Sequence, residues 1–223
     1  MPGAERPKTA LRVPGRIYAI ADAEALGPTP LPAAVAAMAE VGVGWIQVRA
    51  KRLSGLDFYR ALEGCCRAVA GSGVALWVDD RADLAALLPV AGVHVGQADL
   101  PPAAVRKVVG GQSIRQIWIG QSTHDDAQLA TADADGAVDV IAVGPVFPTT
   151  GKERPDPAVG LPFVRRARAR TGKLLVAIGG IDAGNAAQVL AAGADAVAVL
   201  GAACRGDVAA SCRRLLAAAA DGA

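Results

Sequence analysis

Eight short apolar runs punctuate the chain, each nearly unbroken by polar residues. They begin near Arg16 (RIYAIAD), Trp45 (WIQVRAK), Ala75 (ALWVDD), Gly92 (GVHVGQ), Ile117 (IWIGQS), Val138 (VDVIAVGPVF), Leu174 (LLVAIGG) and Ala196 (AVAVLGA). A run that is apolar at nearly every position, rather than at alternate ones, predicts a parallel strand covered on both faces. Between the runs lie segments such as LPAAVAAMAEVG, PPAAVRKVVGG and GNAAQVLAAGA, with apolar residues at helical spacing, Pro near several starts and Gly at most ends. Strand starts recur about every 26 residues, which is the length of a strand plus its returning helix. Eight such units predict an α/β protein built as a single (β/α)8 TIM barrel, since a doubly wound open sheet usually has five or six strands. The barrel is expected over 16–223, after a short polar N-terminal tail over 1–15 that contains Pro and Gly.

Composition narrows the picture without changing it. At 223 residues and 52% apolar, the chain suits one domain with ample core. The formal net charge of +2 gives no electrostatic reason to expect nucleic acid or an anionic membrane as partner. Cys65, Cys66, Cys204 and Cys212 show no C-x-x-C spacing and read as structural thiols of a reducing compartment. No apolar stretch approaches the roughly 20 residues needed to span a bilayer, and the first residues lack a signal-peptide core. A soluble, cytoplasmic protein is expected, and a homo-oligomer is as compatible with the sequence as a monomer.

In such a barrel the chemistry belongs at the C-terminal ends of the strands. Polar residues collect there. Strand one ends at Asp22. Gln47, Arg49 and Lys51 alternate along strand two and so share one face. Strand three ends in Asp79, Asp80 and Arg81, strand four in Gly96 and Gln97 with Asp99 beyond, and strand five in Gly120 to His124. Strand six runs into Thr149, Thr150, Gly151 and Lys152, strand seven into Gly179–Gly180, and strand eight into Leu200–Gly201. Asp80 and Asp99 come from neighbouring strands, so two carboxylates can converge on one magnesium ion. Helix capping by Asp80 is an equal alternative. With Arg49, Lys51 and Lys152 nearby, the mouth points to a polyanion such as a diphosphate. Glycines after strands seven and eight suit a second phosphate, or simply a tight turn. His94 reads as a hydrogen-bonded core residue, the three tryptophans as packing, and Tyr18 as near the mouth. The Arg165–Arg170 run reads as a solvated helix face.

IQVRAK, DDRADLA, GVHVGQADLP, GQSTH, VGPVFPTTGK and AIGGI resemble, in order, the signature segments of thiamine phosphate synthases, from Ile17 to about Ala202. The resemblance implies a transferase that joins a pyrimidine diphosphate to a thiazole phosphate with Mg2+. On it, Gln47, Arg49, Lys51 and Asp79 line the pyrimidine diphosphate, Asp80 and Asp99 bind the metal, and Ser122 and Lys152 hold the diphosphate. Lys51, Ser122 and Lys152 are the groups expected to act on the leaving diphosphate. Thr149, Thr150, Gly151, Gly180, Leu200 and Gly201 match the thiazole-phosphate positions. The chain departs from the family pattern at Asp79, usually asparagine; at Ala50, often glutamate; at Gly151, usually threonine or serine; and at Gly201, often serine. Two other readings share the barrel: a related thiazole tautomerase, and a non-catalytic barrel that binds thiamine precursors. Asp80, Asp99, Lys152 and the GVHVGQADLP run favour the synthase.

Overall fold

The eight apolar runs pair in chain order, all parallel, into one closed barrel in a computed structural model whose described residues are 13–110, 116–149 and 157–220. The strands are β1 Ile17–Asp22, β2 Trp45–Arg49, β3 Ala75–Asp79, β4 Gly92–Val95, β5 Trp118–Thr123, β6 Val140–Val143, β7 Leu174–Ile178 and β8 Ala196–Val199. Pairing of Ile17 with Val197 closes β8 onto β1. Residues 1–12 of the expected tail lie outside the described residues.

Among the described residues the helices are α1 Ala23–Leu26, α2 Leu31–Glu40, α3 Gly55–Ala68, α4 Ala82–Leu87, α5 Pro102–Gly110, α6 Asp126–Ala134, α7 Gly160–Arg170, α8 Ala186–Ala191, α9 Gly201–Cys204 and α10 Val208–Ala220. The expected count of one helix per strand is exceeded by two single turns, α1 and α9, which follow β1 and β8 directly. They are too short to show a helical period in sequence. No helix of the described residues is long and apolar enough to cross a membrane.

Period-two alternation sorts each strand. Ile17, Ala19 and Ala21 of β1 and Ile46 and Val48 of β2 face the helices, whereas Tyr18, Ile20, Trp45, Trp77, Val140, Ala142, Val176, Ala196 and Ala198 fill the barrel. Inside, Tyr18 stacks on Trp45 with ring centroids 4.2 Å apart, and Trp77 lies 5.9 and 5.5 Å from the two rings. Neighbouring strands compensate with glycine. A Cβ on Gly92 would sit 2.4 Å from the Trp77 ring, and one on Gly120 would sit 2.4 Å from His94 Nδ1. Large side chains on β1–β3 thus fill space left by small ones on β4 and β5, and truncating one such aromatic typically costs about 3–5 kcal/mol. The expected place of Tyr18 near the mouth is corrected here: it is 2% exposed and belongs to this packed interior.

The opposite end of the barrel carries a repeated clamp. Asp139, just before β6, accepts the backbone N–H of Ile119 (2.9 Å) and Arg106 Nη2 (2.6 Å) through one oxygen. Arg106 also donates to the carbonyls of Ile117 and Ala137, at 2.6 and 2.7 Å. Just before β8, Asp195 does the same for the N–H of Leu175 (2.7 Å) and Arg168 Nη1 (2.8 Å). Arg168 is therefore not on a merely solvated face, as expected for the arginine run. Arg170 and Arg166 also have a partner, Asp126 of α6. The four cysteines are buried thiols; burial pushes that of Cys65 up to about 12 and those of Cys204 and Cys212 to about 11, which disfavours the reactive thiolate in these three.

Candidate active site

The register pairs Asp22 of β1 with Arg49 of β2, and Asp79 of β3 with His94 of β4, so these four side chains share the last inward tier of the barrel. Gln47 lies one tier lower. It is 3% exposed, and its Nε2 donates to Tyr18 Oη at 2.8 Å. Lys51, expected to continue the strand with Gln47 and Arg49, comes two residues after β2 ends, and its side chain turns toward β3.

Charges at this rim are crowded and unequal. Arg49 ion-pairs with Asp22 through Nη1, its Nε lies 3.4 Å from Asp79 Oδ2, and Glu24 stands 3.8 Å away. Lys51 Nζ lies 3.3 Å from Asp79 Oδ2 and pairs with Asp80 Oδ2. Asp99, in the turn after β4, accepts the Gly96 N–H through Oδ2 at 2.8 Å and raises the pKa of Asp80 through its charge. Among the described residues, five carboxylates thus surround two basic side chains.

The titration directions follow. Burial, and then the Asp80 charge, push Asp79 up to about 6, against the pull of Lys51 and Arg49. Burial also raises Asp80, with Lys51 opposing and Asp99 adding to the shift. Burial alone would lower Arg49 and Lys51, but their carboxylate neighbours raise both overall. Beside this cluster opens a cavity of about 130 Å³ lined by Ala50, Lys51, Leu53, Phe58, Asp79, Asp80 and Arg81.

Asp80 is not a helix cap. The residue preceding α4 is Arg81, with no side-chain cap bond, and the Asp80 carboxylate points instead toward Lys51 and Asp99. Its φ of 58° places a non-glycine residue in the left-handed region, held there by hydrogen bonds from its N–H to His94 O (2.8 Å) and from Arg81 N–H to Asp79 O (2.7 Å). Such a conformation is uncommon away from glycine and concentrates at functional sites.

Next along the rim, Ser122 Oγ lies 2.9 Å from His94 Nε2, and Gln97 Nε2 donates to the Ser122 carbonyl at 2.6 Å. His124 donates from Nδ1 to Gly144 O at 2.6 Å. The expected long sixth strand stops at Val143. Beyond it, Val146 N–H donates to Ile178 O (2.8 Å) and Phe147 N–H to Gly179 O (3.0 Å), tying the β6 loop, which carries Thr149, to the β7 loop. Gly180 has φ 64°, and a Cβ there would lie 2.7 Å from both Phe147 Cβ and Pro148 O, so the tight-turn reading of this glycine holds. Leu200 precedes α9 and Gly201 begins it; a Cβ on Gly201 would meet only Arg205, at 3.6 Å.

Arg49, Lys51, Asp79, Asp80 and Asp99 are therefore brought together, with Ser122 two strands along on β5 and Gly180, Leu200 and Gly201 at the ends of β7 and β8. Thr150, Gly151 and Lys152 lie outside the described residues. Asp22 and His94 were not assigned to the site from sequence, although the alternation that placed Gln47 and Arg49 inward applies equally to them.

A closed (β/α)8 barrel with two basic side chains crowded among carboxylates on its C-terminal rim has the architecture of the barrel enzymes, whose active sites lie at that end. A family model described as thiamine monophosphate synthase matches residues 17–203. The thiamine-phosphate synthase of Koribacter versatilis is 43% identical over 194 residues, covering 85% of this chain and 89% of that protein. That of Laribacter hongkongensis is 40% identical over 193 residues, covering 84% and 87%. The solved thiamine phosphate pyrophosphorylase of Pyrococcus furiosus superposes with a TM-score of 0.81 at 26% identity, covering 92% of this chain and 96% of that one. The chain belongs to the thiamine monophosphate synthase family.

Proposed function

We propose that the chain condenses 4-amino-2-methyl-5-(diphosphooxymethyl)pyrimidine with thiazole phosphate, giving thiamine phosphate and diphosphate. Family membership supports this transferase reaction, and the relatives named above are synthases rather than tautomerases. The observation that carries the site assignment is the meeting of Arg49, Lys51, Asp80 and Asp99 on one rim.

A magnesium ion fits the residues present. The Asp99 charge raises the cost of charging Asp80, and a hard cation between the two carboxylates would relieve that repulsion. The surplus of carboxylates among the described residues gives a second reason, since such a cluster would repel a bare diphosphate. Bound at Asp80 and Asp99, magnesium would neutralise the charge that develops on the departing diphosphate.

The chain's own groups bind and orient. Arg49 and Lys51 are placed to exchange contacts with Asp79 for contacts with the diphosphate, and Ser122 would offer a hydroxyl from β5. Lys152 would add a further cation, and Gln47 would support the pyrimidine from below. Thr149, Thr150, Gly151, Gly180, Leu200 and Gly201 would seat the thiazole phosphate. No protein nucleophile is required: the pyrimidine methyl cation left by diphosphate departure is captured by the thiazole nitrogen held beside it, so catalysis rests on electrostatics and proximity. An acidic rim does not favour a nucleic-acid partner, and buried thiols suit a cytoplasmic enzyme.

Purified protein given both substrates and magnesium should release thiamine phosphate and diphosphate in equal amounts, and EDTA should stop it. Absence of product from intact substrates would refute the synthase; product unaffected by EDTA would refute the metal site.

A further inference from the structure

We propose that His94 is a positioning residue for this reaction: its Nε2–H donates to Ser122 Oγ and so turns the serine hydroxyl hydrogen toward the diphosphate. The inference rests on the reading of Ser122 as a diphosphate ligand.

His94 faces inward on β4, in register between Asp79 of β3 and Gly120 of β5, and is 8% exposed. Its ring fits there because the residue beside it is glycine; a Cβ on Gly120 would lie 2.4 Å from Nδ1 and 3.2 Å from the Trp77 ring. The space is thus shaped to the imidazole, with Trp77 near its base. Ser122 follows two residues later on β5, half-buried, with Oγ 2.9 Å from Nε2. Gln97 fixes the same residue through its carbonyl, so backbone and hydroxyl are both held.

A serine hydroxyl has one hydrogen and two lone pairs. If Ser122 spent its hydrogen on Nε2, it would present only lone pairs to the mouth, and these repel an anion. If Nε2–H is the donor, Oγ accepts and its own hydrogen is released to a phosphate oxygen. The second arrangement makes Ser122 a charge-assisted donor to the diphosphate, the stronger class of hydrogen bond. His94 touches no substrate atom in this scheme and acts through Ser122.

The test is a double-mutant cycle on the full chain with magnesium. His94→Leu should lower kcat/KM for the pyrimidine diphosphate about tenfold, with the KM for thiazole phosphate changed less than about twofold. His94→Gln, whose amide can donate from nearly the same place, should restore most of the loss. In a Ser122→Ala background, His94→Leu should cost no more than about a further twofold. If His94→Leu does not fold, His94→Asn, too short to reach Oγ, replaces it. Nitrogen NMR of the imidazole in the wild-type chain should find Nε2 protonated. An equal loss in both Ser122 backgrounds, a glutamine variant as poor as leucine, or an unprotonated Nε2 overturns the proposal. Unchanged diphosphate kinetics in Ser122→Ala alone would instead overturn the reading of Ser122.

Discussion

At the N-terminal end of the barrel, Asp139 and Asp195 each accept one backbone N–H and one arginine, whereas at the C-terminal end Asp79, Asp80 and Asp99 crowd together around Arg49 and Lys51. The same residue type serves opposite purposes. In the clamps every charge is answered locally, which holds neighbouring strands and helices in register. Among the described residues of the rim, carboxylate charge is left in excess, with Asp79 pushed up to about 6 and Asp80 raised, a cost that the proposed cation and polyanionic substrate would offset. Stability and function are thereby separated along the barrel axis.

This separation is sharpest at the proposed metal ligands. Asp80→Ala or Asp99→Ala should reduce magnesium-dependent turnover by about a thousandfold or more, while the melting temperature stays the same or rises, because a repelling carboxylate has gone. Steady-state kinetics beside thermal melts checks both halves. The clamp should behave in the opposite sense. Asp139→Ala leaves Arg106 and the Ile119 N–H without their shared acceptor, and should cost about 2 kcal/mol in denaturant unfolding. The kcat of the folded enzyme should then remain within about twofold.

Asp79→Asn probes the rim's stored cost. Its pKa in the folded chain, about 6, lies above the ordinary 3.8, so its contribution to stability is fully present below about pH 4 and is lost as pH rises through 6. Asparagine removes the charge that causes the loss. The variant should therefore gain about 1–3 kcal/mol over the parent at pH 7–8 and nothing at pH 4, as read by unfolding at both pH values. An equal gain at both would show that the carboxylate is not strained. The smallest effect concerns Gly201, where a side chain meets no obstacle. Gly201→Ser should lower the KM for thiazole phosphate about three- to tenfold, the worth of one added hydrogen bond.

Much of this was legible in the sequence, for physical reasons. Strands buried on both faces leave continuous apolar runs, and a closed barrel forces the polar residues after them onto one rim. That logic located Arg49, Asp80, Asp99 and Ser122. It could not see what depends on register across strands. The match of Gly92 to Trp77 and of Gly120 to His94 needs the pairing of β3 to β5, so His94 read only as a core residue. Tyr18 looked close to the mouth because its position along β1 is clear, while its stacking on Trp45 is not. Asp139 and Asp195 resemble ordinary loop aspartates until Arg106 and Arg168 are brought to them from helices far along the chain. The short turns α1 and α9 carry no periodic signal at all.

Calorimetric titration of inorganic diphosphate into the protein tests the contrast between the two ends most directly. The account predicts binding with magnesium present, little without it, loss of binding in Asp80→Asn, and wild-type binding in any folded Asp139 variant. Equal binding with and without magnesium, or undiminished binding by Asp80→Asn, would contradict the claim that the rim's excess of carboxylates is a metal site.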